Sequence, residues 1–99
     1  MLAIVARVGA RLCAVPLTHA RETMRMLPIE PLAGAPPFVL GLAIIRGQAV
    51  PVIDLGALIG GGGAPARLIT LNVGERSVAI AVDAVVGVQR LEGATLAAA

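Results

Sequence analysis

The sequence predicts a mainly β domain, a small barrel or sandwich of short paired strands, and three observations carry that prediction. Apolar residues alternate with polar or small ones at period two over several runs. Gly and Pro punctuate the chain at close intervals. The apolar stock is almost entirely Ala, Val, Leu and Ile, with Phe38 the single aromatic among 99 residues. Strand-period alternation broken by turn residues is the signature of small all-β folds. At this length one domain, residues 1–99, is expected.

Taken in order, Leu2 to Val8 and Leu12 to Val15 form a first hairpin around Gly9-Ala10. Thr18 is placed to cap a short helical turn through Ala20 and Arg21. Pro28 to Pro37 holds four prolines and Gly34 and reads as a loop. Val39 to Ile45 and Gln48 to Ile53 flank Arg46-Gly47, a second hairpin whose glycine supplies the positive φ of a tight turn. Pro51 lacks an N–H and is expected at a sheet edge or a bulge. Asp54 caps a helix at Leu55 to Ile59 that stops at Gly60. Gly60 to Gly63 reads as a flexible linker or loop tip. Ile69, Leu71 and Val73 alternate with Thr70 and Asn72, and Val78, Ile80 and Val82 with Ala79, Ala81 and Asp83. With Gly74-Glu75-Arg76 between them they make a third hairpin. Val85 to Arg90 is a further strand, with Gly87 a candidate bulge.

Composition excludes several functions. The chain is 58% apolar and 14% charged, the reverse of a disordered tail. All eight basic residues are arginines, standing singly at positions 7, 11, 21, 25, 46, 67, 76 and 90. Nucleic acid calls for a basic stripe and aromatic platforms, so no nucleic-acid partner is expected. Mean hydropathy is +0.92. The longest uncharged stretch, Pro31 to Ile45, is nevertheless short and proline-broken, so neither membrane insertion nor a leader is expected. The single Cys13 rules out an internal disulfide and suits a reducing, cytoplasmic address.

The catalytic inventory is thin. Cys13 and His19 lack an orienting third group, and a cysteine in an apolar strand is a small hydrophobe. Asp54-Leu55-Gly56 resembles the active-site triplet of retroviral-type proteases, whose dimers join two carboxylates. Leu55 replaces the hydroxyl residue that the triplet carries, and a dimeric hydrolase using Asp54 stays a remote alternative. The tetraglycine lacks the Lys-Ser/Thr of a phosphate loop. Asp83 and Glu75 have no companions at metal-ligand spacing, so no metal and no cofactor are expected.

Four segments, in order, resemble the CheW-like domain of bacterial chemotaxis. Gly9-Ala10-Arg11-Leu12-Cys13-Ala14-Val15-Pro16-Leu17 resembles its opening hairpin, with Glu22 where the family has Glu after a short helix. Pro36-Pro37-Phe38-Val39-Leu40-Gly41 partly matches P-G-x-P-x-x-x-x-G. Ile45-Arg46-Gly47-Gln48-Ala49-Val50-Pro51-Val52-Ile53-Asp54-Leu55 follows N-L-R-G-x-x-x-P-V-x-D-L, with Ile44 in place of Asn. Val82-Asp83-Ala84-Val85-Val86-Gly87-Val88 resembles V-D-x-V-x-x-V.

The resemblance runs from about residue 2 to 96 and implies a pair of small SH3-like β-barrels. The family domain continues through further strands, whereas this sequence stops at Thr95-Leu96-Ala97-Ala98-Ala99. The expectation is a domain without its C-terminal portion, an incomplete first barrel and an open edge available for self-association. The implied role is a non-catalytic adaptor between methyl-accepting chemoreceptor cytoplasmic tips and the regulatory domain of a chemotaxis-type histidine kinase. The alternative is a fragment or regulatory domain of a larger kinase or related protein. Matching positions give Ala20, Glu22, Arg46, Ala79 and Val88 to the receptor groove, and Thr23, Ile29, Gly41 and Gln48 to the kinase interface.

Overall fold

The computed structural model describes residues 1–91, so the expectation about Thr95 to Ala99 lies outside the described residues. The elements are β1 (Leu2–Val8), β2 (Arg11–Pro16), β3 (Ala20–Arg25), β4 (Val39–Ile45), β5 (Gln48–Asp54), α1 (Leu55–Ile59), β6 (Arg67–Val73), β7 (Arg76–Val82) and β8 (Ala84–Arg90). All three expected hairpins form: β1 with β2, β4 with β5, and β6 with β7. Asp54 caps α1 by accepting from the Ala57 N–H at 3.2 Å. The register of β8 against β1 skips Val86, next to Gly87, which puts a bulge where the glycine suggested one. Among the described residues no helix is long and apolar enough to cross a membrane.

Two sheets result, one ordered β2-β1-β8 and one ordered β3-β6-β7-β5-β4. Strand β7 alternates large hydrophobes with the small Ala79 and Ala81, and both β6 and β7 are buried on both faces along part of their length. Ile69, Ile80 and Val82 meet Ile4, Ala6, Val8 and Val15 of the three-stranded sheet in a core between the sheets. Leu68, Ala79 and Ala81 face the other way, into a second core with Ala43, Ile45, Val50 and Val52. The small Ala79 and Ala81 let the five-stranded sheet curl tightly around that second core. Met24, Met26, Leu27, Ile29 and Leu40 pack against it from the rim.

The expected SH3-like architecture is borne out, with neither sheet closed into a barrel among the described residues. The five-stranded sheet curls without closing. Its β4 edge is met by one isolated bridge, in which the Glu30 N–H donates to Leu42 O at 2.8 Å and the Leu42 N–H to Glu30 O at 2.9 Å. Gly41 sits under that contact, where a side chain would collide with the Glu30 carbonyl. Among the described residues the three-stranded sheet ends openly at β2 and β8.

Two further expectations are corrected, and a third gains detail. The stretch after Thr18 is a turn at 17–19 followed by β3, not a helical turn. Pairing with β6 from Ala20 to Arg25 overrides the helix preference of Ala-Arg-Glu. Pro51 lies in an interior strand, tolerated because the parallel pairing of β5 with β7 begins one residue later, at Val52. The tetraglycine is exposed yet packed: a Cβ on Gly56 would strike the Gly62 carbonyl, and one on Gly9 would come 2.9 Å from the Gly61 carbonyl oxygen.

Asp83 occupies the single residue between β7 and β8, where the chain leaves one sheet for the other. Its N–H donates to Arg7 O at 2.9 Å. Its carboxylate accepts from the Gly9 N–H at 2.8 Å and the Ala64 N–H at 2.9 Å, tying the β1–β2 turn and the glycine loop to the crossover. Hydrogen bonds to an ionised acceptor contribute about 1.5–3 kcal/mol each. Because the Ala64 bond is exposed, Asp83→Ala is expected to lower unfolding free energy by about 2–4 kcal/mol, less than two full bonds, with Asp83→Asn keeping part of it through its one remaining oxygen. Urea melts check this, and an Ala variant as stable as the parent would remove the clamp from the account.

Candidate functional site

The site begins at the two-residue turn between β4 and β5. Arg46 has φ 51° and Gly47 φ 77°, the two left-handed residues of a type I′ hairpin. The sequence anticipated the second and not the first. Arg46 is the only non-glycine with positive φ among the described residues. Asn, Asp or Gly are the usual occupants there, since a longer side chain gains no local hydrogen bond to offset the strain.

From this turn the guanidinium reaches Glu22 on β3. Arg46 Nε donates to Glu22 Oε1 and Arg46 Nη2 to Glu22 Oε2, both at 3.0 Å, a two-pronged pair across 24 residues. Strands β3 and β4 are the two outer strands of the five-stranded sheet, so the pair spans the mouth of its curl. The Arg46 side chain stays 73% exposed and that of Glu22 32%. The hydrogen bonds from Arg46 hold the Glu22 carboxyl below its ordinary value near 4.5, against a smaller desolvation effect, with the charges of Arg46 and Arg21 adding to the lowering. Glu22 in turn raises Arg46. Arg21, Gln48, Thr70 and Ser77 line the same cleft, over Ile45 and Val50.

Residues that the sequence grouped are only partly together. Glu22 and Arg46 meet. Ala20 is half-buried at the start of β3, against the core between the sheets. Ala79 is fully enclosed and pairs across the strand with Thr70, so it underlies the site without reaching the surface. Val88 is exposed, but on β8 of the other sheet. Of the second group, Gln48 shares the Arg46 cleft. Thr23 is half-buried on β3, opposite Ile69. Ile29 lines a separate apolar groove with Leu42, the exposed Ile44 and Ala49. Gly41 is buried beneath Glu30 and offers no side-chain surface.

Thr70 went unnoticed in the sequence because alternation put it on a polar face. It is instead 4% exposed, bonded through its hydroxyl to the backbone of Glu22. The catalytic candidates have structural employment. Asp54 caps α1, and Cys13 packs against the core while His19 lies in an exposed turn. Among the described residues no cluster of His, Cys, Asp and Glu could hold a metal ion.

The family model described as the CheW-like domain matches residues 2–99. The chain is 34% identical over 86 residues to "Chemotaxis protein CheW" of Rhizobium meliloti (strain 1021), covering 83% of this chain and 56% of that protein. It is 30% identical over 89 residues to "Protein FrzA" of Myxococcus xanthus, covering 86% and 56%. The chain thus spans about half the length of these curated relatives. Among solved structures, that of scaffolding protein TtCheW from Thermoanaerobacter tengcongensis aligns with TM-score 0.86 at 24% identity, over 94% of this chain and 66% of that one, a likeness of fold.

Two outcomes follow from the site geometry. Because the folded value of Glu22 is depressed, its share of stability is present above the unfolded carboxylate value and is lost as pH falls through the folded one. A carbon-detected NMR titration is expected to place the Glu22 midpoint below that of an ordinary glutamate, and Arg46→Ala should return it upward. An unmoved midpoint would mean that the pair is unpopulated in solution. Gly47→Val forces a β-branched residue to positive φ and is expected to cost about 1–3 kcal/mol. Wild-type melting of that variant would place residue 47 at negative φ.

Proposed function

The chain belongs to the CheW-like domain family, and we propose that it acts as a non-catalytic signalling adaptor, in the cytoplasm, coupling chemoreceptor tips to a chemotaxis-type histidine kinase. The observation that carries this reading is the Glu22–Arg46 pair, exposed at the mouth of the five-stranded sheet and fixed from two strands and a tight turn. Both residues stand at positions that the family resemblance gives to the receptor groove. An adaptor needs a surface ordered before its partner arrives, because each side chain frozen on binding costs about 0.5–1.5 kcal/mol. Arginine suits such a surface, being enriched among the residues that dominate interfaces. Arg46 spends Nε and Nη2 on Glu22 and keeps further N–H donors turned outward.

The kinase side of the reading draws on Thr23, Ile29 and Gln48. Ile29 and Ile44 offer the apolar groove that a partner could fill. The enclosed Ala79 and Gly41 enter only as support for the surface.

Arg46→Ala is expected to weaken capture of a receptor-tip fragment by about tenfold or more. Capture of the kinase regulatory domain should be unchanged, and the melting temperature should move by only about 3 °C. Unchanged receptor capture with a much earlier melt would make Arg46 a structural residue and overturn the assignment.

A further inference from the structure

Strand β3 carries an irregularity at the docking site. Its register against β6 runs Ala20↔Leu71 and then Glu22↔Thr70, which leaves Arg21 as the extra residue of a bulge. A bulge breaks the backbone ladder and leaves N–H and C=O groups looking for partners. Here both backbone groups of Glu22 find theirs on one side chain. The Glu22 N–H donates to Thr70 Oγ1 at 3.1 Å, and the Thr70 hydroxyl donates back to Glu22 O at 3.3 Å. A hydroxyl can do both, since it has one proton to give and lone pairs to receive. Thr70 is 4% exposed and is the only buried polar residue among the described residues. Its pairing partner on β7 is the fully enclosed Ala79.

We propose that Thr70 is the positioning residue of the docking site: its hydroxyl grips both backbone groups of Glu22 beside the β3 bulge and so aims the Glu22 carboxylate at Arg46. The claim rests on the adaptor reading for its purpose but not for its geometry. A bulge can relax in several ways, and a displaced Glu22 backbone would break a two-pronged pair that needs both oxygens at 3.0 Å. Thr70 touches no partner and acts only through Glu22. A valine has the same shape and removes both hydroxyl bonds to the Glu22 backbone in a part-buried place.

The test uses the whole chain and begins without any partner. In Thr70→Val the Glu22 carboxyl is expected to titrate back toward the ordinary glutamate value, whereas Thr70→Ser, which keeps the hydroxyl, stays at the depressed wild-type midpoint. A Val variant that titrates like wild type, or a Ser variant that does not, overturns the proposal. If Thr70→Val does not fold, the wild-type protein decides: a slowly exchanging Thr70 hydroxyl proton with a cross-peak to the Glu22 amide supports the clamp, and its absence overturns it. With a receptor-tip fragment as probe, Thr70→Val should lose about as much binding as Arg46→Ala, about tenfold, and the double variant no more than either. Additive losses would mean that Thr70 does not work through the pair. Failure of every variant, wild type included, to bind the tip would count against the adaptor reading and leave the titration result standing.

Discussion

Strands β6 and β7 bury side chains on both faces, and the rest of the molecule is arranged to cover both. Covering one face takes the three-stranded sheet, through Ile4, Ala6, Val8 and Val15. Covering the other takes the curl of the five-stranded sheet upon itself, with the methionines and Ile29 at the rim. Each fully buried Val, Leu or Ile contributes about 1.5–3 kcal/mol, and Leu68, Ile69, Val52 and Val82 are all enclosed. An exposed ion pair contributes little beside that. Energetically the cores set the fold, and Asp83 fixes how the two sheets are joined.

The Glu22–Arg46 pair is a geometric consequence of the curl. Its two residues come from opposite edges of one sheet, and they meet because the concave core pulls those edges round. The same curl brings Glu30 to Leu42, so the open mouth is spanned once by backbone and once by side chains. What the pair adds is definition of surface, with Thr70 beneath it holding one end.

Much of this was legible in the sequence wherever a local pattern was sufficient. Period-two alternation with intervening glycines located all three hairpins, and Asp54 announced its helix. Local patterns failed where distant partners decide the outcome. Ala20 to Arg25 has no clear alternation and becomes a strand only because β6 offers it an edge. Thr70 looked like a solvent-facing residue because alternation marks faces and does not say that both are buried. Pro51 is admitted to an interior strand by the offset at which β7 joins. No spacing rule links Glu22 to Arg46. Family resemblance placed both at the same groove, and only the fold shows them bonded to one another.

The left-handed backbone at Arg46 has a consequence for anyone who would improve this protein. Asparagine or glycine would sit more comfortably at φ 51°. Selection for heat resistance alone would therefore favour replacing the residue that reaches Glu22. On the proposed role, variants ranked by thermostability would drift away from docking, and the most robust member of such a library would be the poorest coupler. If Arg46 docks as proposed, the turn is a place where durability and communication draw on the same residue and pull it in opposite directions.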